Sequence, residues 1–302
     1  MINSIALSLL LGFELSYYLL IVQTGIVAHY NSDLITLFPM FVGGVAGTIL
    51  AGRNWKQFDN PMYKIIIALV LQLLLSLLYP SYNIFTLALL GLAVGLMAPL
   101  GIYLFKAKQQ KELLFALALA YTIGTYSFTS EADSRLLMAV FITSIALISA
   151  LVLKDYKVQT QTKIISHTFL SYAPLMVWIL LDSNLFESLS RHTGLDIWSH
   201  YTYVIILFHL IGLLSAYFIK IKKKNEHLFI SFLFFVSYIV SYLEWPFLLA
   251  IFYPFTISYY NVVVFTRLSQ EMSLSKLAFI MIFVGWIASG LGLSIALSGV
   301  LH

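Results

Sequence analysis

IALSLLLGFELSYYLLIVQTGIVA, residues 5–28, is the stretch that decides the fold class. A helix needs about 20 mostly apolar residues to cross the hydrocarbon layer of a bilayer, and this run exceeds that. It is also too long for the apolar core of a cleaved leader. No basic stretch precedes it and no small-residue cleavage site follows it, so it reads as a retained first span. It carries one acid, Glu14, about ten residues in, or roughly 15 Å deep at 1.5 Å per residue.

Ten more segments of the same kind follow. They lie near 34–52, 63–80, 83–105, 112–130, 135–153, 167–190, 200–220, 227–244, 246–266 and 276–298. The whole chain of 302 residues is 61% hydrophobic and only 10% charged. A soluble fold has about 25% charged residues, so this chain reads as an all-α integral membrane protein of about eleven spans. The composition excludes a soluble enzyme, a secreted module and a disordered chain. Cysteine is absent, which excludes disulfides, thiolate metal sites and cysteine nucleophiles.

Lysine and arginine orient the spans. With the N-terminus in the cytoplasm, the inner loops hold Arg53, Lys56 and Lys64; Lys106, Lys108 and Lys111; Lys154, Lys157 and Lys163; Lys220, Lys222, Lys223 and Lys224; Arg267 and Lys276, which is 15 of the 17 basic residues. Arg135 and Arg191 fall outside, and His302 ends the chain outside. KIKKK at 220–224 is a topology signal with some attraction to anionic headgroups. The net charge of +4 is spent on topology, so no nucleic-acid partner is expected. The expected partners are the bilayer and a small-molecule or ion substrate, the expected state is a monomer, and the expected location is a bacterial inner membrane.

A shift of 168 residues superposes the two halves. Glu14 falls on Asp182, Gly44 on Gly212 and Gly124 on Gly292. An offset of six spans preserves direction, so this is a parallel repeat. The expected division is a six-helix bundle at 1–153, a cytoplasmic linker at 154–166 and a five-helix bundle at 167–302, a 6+5 pattern in which the last helix of the second half is missing.

GLAVGLMAPLGIYLFKAK (91–108) and LALAYTIGTYSF (117–128) resemble the fourth and fifth helices of the major facilitator superfamily. FVGGVAGTILAGRNWK (41–56) stands where that superfamily carries its signature loop, with Gly52 in the place usually held by an acid. The resemblance implies two six-helix bundles rocking around a central cavity, normally with twelve spans, the last of them peripheral.

Candidate chemistry starts at Glu14. A charge at that depth costs about 2.5–3.5 kcal/mol on insertion scales and rarely faces lipid. A carboxyl that alternates between protonated and ionised forms suits proton coupling; the plain alternative is a neutral glutamic acid bonded to a neighbouring helix. Tyr17 and Tyr18 follow at i+3 and i+4 and share its face, placed to bond the carboxyl or stack on a solute. Asp182, Asn184 and Glu187 lie toward the outer end of the seventh span. Asp182 and Glu187 are about 140° apart around a regular helix, and unwinding there would bring them to one cavity; the plain alternative is a solvated interfacial end. His209 lies mid-span in the eighth segment, either as a ligand or as a packing residue. Tyr259, Tyr260 and Asn261 interrupt the tenth as a solute pocket or as interhelical glue. Trp178 and Trp286 are packing residues or stacking platforms, and Trp198 and Trp245 read as interfacial belt residues.

Glu14, Asp182, Glu187 and His209, with His192 and His200, are the only hard-ion or imidazole ligand set, and none has a local ligand spacing. GGVAG (43–47), GLAVG (91–95) and GWIASGLG (285–292) are close-packing glycines, with no phosphate-loop lysine and threonine after them. No cofactor is expected, and no paired acid–base spacing marks an enzyme. Three readings remain. The first is a secondary active transporter of a small solute, proton-coupled, working by alternating access around a cavity containing Glu14. The second is a divalent metal-ion carrier using Glu14, Asp182 and His209. The third is a membrane assembly factor or scaffold without transport. The substrate and the direction of transport are not legible.

Overall fold

The computed structural model describes residues 2–30, 33–55, 60–105, 109–156, 168–191, 195–219, 221–271 and 273–298. Eleven long helices run through them: α1 (Ile2–His29), α2 (Leu34–Gly52), α3 (Pro61–Ser76), α4 (Ile84–Leu104), α5 (Gln110–Ser127), α6 (Leu136–Val152), α7 (Ala173–Arg191), α8 (Ile197–Phe218), α9 (Lys223–Tyr242), α10 (Pro246–Ser269) and α11 (Leu274–Ser298). Most of the expected linker, together with Lys56, Lys106, Lys108, Lys157, Lys163, His192, Lys220 and His302, lies outside the described residues.

Polar residues start these helices where the chain leaves a loop. Asp33, Asn60, Asp196 and Ser273 each accept a bond from a backbone N–H of the first turn that follows. Asn83 and Thr86 form a reciprocal capping box at α4. These bonds satisfy donors that a helix start otherwise leaves open. Thr36 Oγ1 and the Ile35 N–H both donate to the Asp33 carboxylate and hold it below the usual carboxylate range. Pro39, Pro99 and Pro254 sit inside α2, α4 and α10, a placement that neighbouring helices make tolerable in membrane proteins.

Seven of the helices are long and apolar enough to cross a membrane by length and composition: α1, α2, α4, α8, α10, α11, and α7 with the turn before it. The sequence reading expects about eleven. The difference has local causes. Helices α3 and α6 are apolar but have only 16 and 17 residues, or about 24–26 Å of rise. Helices α5 and α9 open on charged residues, Lys111 and Glu112 in one and Lys223, Lys224 and Glu226 in the other. Even the short α6 keeps an apolar outer stripe, with Leu137, Phe141 and Ile148 exposed at 78, 62 and 61%. Such a stripe needs lipid rather than water beside it.

The chain forms two compact units, Met1–Ile165 with Thr266–Ile282 and Ser166–Phe265 with Phe283–His302. In the first, α1 packs on α5 and α6, α2 on α4, and α3 on α4 and α6; Leu274–Met281 of α11 lies against α2 and α4. In the second, α7 packs on α9 and on Ala288–Ser298 of α11.

Glycines set the closest crossings. A Cβ at Gly43, Gly47, Gly91 or Gly95 would fall 1.9–2.2 Å from a backbone oxygen of the facing helix, with Gly44 supplying the oxygen at Gly95. Helices α2 and α4 therefore touch backbone to backbone. In the second unit Gly212 brings α8 to 2.7 Å from the Phe255 carbonyl of α10, and Gly292 brings α11 to 2.5 Å from the Leu180 carbonyl of α7, as measured from an added Cβ. Gly124 faces Leu19 across α5 and α1. The glycine coincidences of the 168-residue shift thus fall on matching helix pairs, second with fourth and first with fifth in each half.

Candidate functional site

Two carboxyl-centred clusters occupy the units, one in each. In the first, Glu14 is 8% exposed on α1, and its Oε2 accepts a hydrogen bond of 3.1 Å from Gln72 Nε2 of α3. The same Nε2 lies 3.4 Å from Thr143 Oγ1 of α6. Gln72 and Thr143 are fully buried. Tyr17 is fully buried too, and its hydroxyl goes to Ser76 Oγ on α3 at 3.1 Å rather than to the carboxyl one turn below. Tyr18 is half-buried and opens a π-helical segment, Tyr18–Ile26. A π segment takes in an extra residue and re-aims the side chains that follow.

Arg135 braces that segment. It is 3% exposed and donates to the Leu20 carbonyl at 2.7 Å, to Thr24 Oγ1 at 2.6 Å, and to the Phe128 and Ser130 carbonyls, both at 2.9 Å. The sequence reading places Arg135 outside as an exception to the charge rule. It is an internal clamp that ties the irregular part of α1 to the turn between α5 and α6.

In the second unit Asp182 of α7 is half-buried. It accepts from Tyr253 through Oδ1 at 3.2 Å and from Tyr260 through Oδ2 by a short bond, both donors lying on α10. Two residues on, Asn184 accepts from Tyr238 of α9 at 2.8 Å and reaches the Gly292 carbonyl of α11 at 3.4 Å. Helix α7 is regular to Arg191, so the expected unwinding between Asp182 and Glu187 does not occur, because intact backbone bonding holds the whole stretch. Glu187 is 4% exposed, not a solvated end.

The remaining expected residues pack. His209 Nδ1 shares a hydrogen bond of 2.7 Å with Ser258 Oγ at the contact of α8 and α10. Tyr259 lies among Phe229 and Phe255, with centroids at 5.1 and 6.1 Å. Trp178 is 1% exposed beside His227. Asn261 and Trp286 are half-buried. Trp198 is 7% exposed against Phe186 and is no belt residue, whereas Trp245 is 52% exposed. Among the described residues no group of three or more His, Asp or Glu comes together that could hold a metal ion. Asp182, Glu187 and His209 form no such group, and His192 lies outside the described residues.

Gln72, Thr143, Tyr253 and Tyr238 are the partners that the sequence reading passes over. Gln72 had a signal, as the one amide inside an otherwise apolar run, IIIALVLQLLLS (65–76). Tyr253 had none, being one of 19 tyrosines.

No protein-family model and no curated protein matches the chain. A solved structure does. It is a bacterial homologue of the human lysosomal transporter Spinster, in an inward-facing and unoccupied conformation, and it aligns over 96% of this chain and 80% of its own with a TM-score of 0.55 and 11% identity. The chain has a major facilitator fold. At that identity the likeness is one of architecture, and with the span-length apolar helices it supports a multi-pass integral membrane protein.

Lys64 is 5% exposed and donates to the Ala51 and Arg53 carbonyls at 3.1 and 2.6 Å. It caps the end of α2 while lying 5.3 Å over the Trp55 ring. A cation suits a helix C-terminus, so this lysine serves the helix end as well as topology. Gly52 has the Ser275 backbone and the Ala278 side chain of α11 close enough that a Cβ would meet them at 3.1 and 2.9 Å. Close packing stands at the position where the sequence resemblance expects an acid.

Proposed function

We propose that this protein is a secondary active transporter of a small solute, coupled to protons through Glu14 and working by alternating access. One observation carries the reading. Glu14 is buried midway along a span-length helix, its hydrogen-bond partner is a neutral amide, and among the described residues no lysine, arginine or histidine stands within ion-pair distance of it. A buried carboxylate paired to a fixed cation is locked in its ionised form. A carboxyl facing only amide and hydroxyl groups is free to take and release a proton, which coupling requires. The fold supplies the frame for the movement.

In this reading Asp182, with Tyr253 and Tyr260, contacts the solute. A carboxylate beside aromatic rings suits a cationic or amphipathic molecule. Asn184, His209, Tyr259 and Trp178 shape the surroundings by packing.

The test is flux in proteoliposomes with and without a pH gradient, using a panel of radiolabelled organic amines and neutral solutes of similar size. Glu14→Gln should abolish gradient-driven accumulation and leave solute exchange across the membrane intact. Unchanged accumulation in that variant would remove Glu14 from the coupling.

A further inference from the structure

Gln72 is fully buried, and the two ends of its amide are treated unequally. Nε2 donates to Glu14 at 3.1 Å and lies 3.4 Å from Thr143 Oγ1. Oε1 is buried with no hydrogen-bond partner. A buried, unpaired carbonyl oxygen is costly, and native structures rarely leave one without a reason.

Other charged and titratable groups around the cluster are occupied or face away. On α1, Tyr17 bonds Ser76 and His29 bonds Asp133. On α3, Lys64 is held by carbonyls and Tyr63 is exposed. On α5, Glu112 bonds Ser4, Lys111 and Tyr126 are exposed and Tyr121 is buried. On the α6 side Arg135 is bound to carbonyls and Thr24.

We infer that Gln72 is an amide switch that positions the proton of Glu14, turning over as the carboxyl gains or loses it. The inference rests on Glu14 as the proton-carrying group. An ionised carboxylate only accepts, so it needs the NH2 end, which is the orientation observed. A protonated carboxyl carries an O–H that needs an acceptor. Half a turn about the terminal torsion, which is broad and two-fold, puts Oε1 where Nε2 stood, and it then accepts that O–H. Thr143 serves both orientations, since a hydroxyl accepts from NH2 and donates to C=O. The end of the amide that faces Glu14 and Thr143 thus finds partners with the carboxyl in either form. No proton leaves the cluster through Gln72; it is a positioning residue, and Glu14 is the carrier.

The test is infrared difference spectroscopy on the full chain with carbon-13 in its glutamine side-chain carbonyls, titrated from about pH 4 to about pH 10. The protonated-carboxyl band of Glu14 is the one missing from Glu14→Gln, and the Gln72 carbonyl band is the one missing from Gln72→Leu. The switch requires both bands to change in the native chain with one midpoint, and Thr143→Val to move the carbonyl band of the protonated form. If the carboxyl titrates while the labelled carbonyl stays still, the switch is wrong; if Glu14 does not titrate in that window, it is wrong as well. Should either reference variant fail to fold, co-titration of a labelled carbonyl with a carboxyl in the native chain still decides. Flux that ignores Glu14 alongside co-titrating bands would sink the transport role alone, and coupled flux with a still carbonyl would sink the switch alone.

Discussion

Glu14 and Arg135 are both charged side chains inside the first unit, and their surroundings treat them in opposite ways. The guanidinium has a bond for nearly every N–H it offers, and the carboxyl has one amide. The first arrangement fixes a charge and the second leaves room to lose one. Arg135→Lys should therefore fail to restore the clamp, because an ammonium lacks the planar fork of donors. Thermal unfolding in detergent should show a loss of about 1–3 kcal/mol for each carbonyl left unpaired. In the second unit, Tyr260→Phe removes one of two hydroxyl donors to Asp182 and should destabilise by a similar amount. Asp182→Asn should lower uptake of cationic solutes far more than of neutral ones, and equal losses for both classes would argue against a cation-recognising carboxylate. The apolar run around Glu14 made it legible, since one acid in 24 residues of hydrocarbon-like sequence must find a cavity or a bonding partner on another helix. Its partners were not legible, because they come from α3 and α6, 58 and 129 positions away along the chain.

Helix pairs give a sharper comparison, because the repeat puts equivalent glycines in unequal surroundings. Gly124 has 3.5 Å to its nearest neighbour from an added Cβ, while Gly292, its counterpart, has 2.5 Å to a backbone oxygen. Gly124→Ala should leave the unfolding temperature nearly unchanged. Gly292→Ala and Gly95→Ala should lower it, at a cost in stability of about 1–3 kcal/mol or more, since backbones must separate to admit the methyl group. Equal effects at Gly124 and Gly292 would mean that the two halves pack alike. At the start of α2, Asp33 has its ionised form favoured by bonds from Thr36 and Ile35. Its folded pKa is lowered, so its contribution is present above the ordinary carboxylate range and is lost as pH falls through the lowered value. Asp33→Asn keeps the cap and should remove that acid-limb dependence from the unfolding curve. Caps, prolines and glycine-rich runs announced these elements in the sequence. What the spacing could not give is which glycine meets which backbone, for that depends on the facing helix.

Across the whole molecule, the charge distribution predicts the way the chain threads the membrane. The chain has no native cysteine, so single cysteines report cleanly. Cysteines placed at Asp155 and Lys222 should react with an impermeant reagent only from the cytoplasmic side, and those at Asp133 and Glu244 only from the other. Labelling of any one pair from both sides, or in the reverse sense, would overturn the orientation. Composition, span-length apolar runs and the 168-residue echo were enough to determine a helical membrane protein built on a repeated plan, because lipid imposes one solution on a backbone that must satisfy its own hydrogen bonds. They also marked Glu14, because burying a charge is costly enough to stand out in a single dimension. Only the tertiary structure decided what that carboxyl and Asp182 touch, that Arg135 is a buried brace rather than a loop charge, and that α7 stays wound past Asp182. Those outcomes depend on the directions of side chains across helix contacts, and hydropathy along one chain does not encode them.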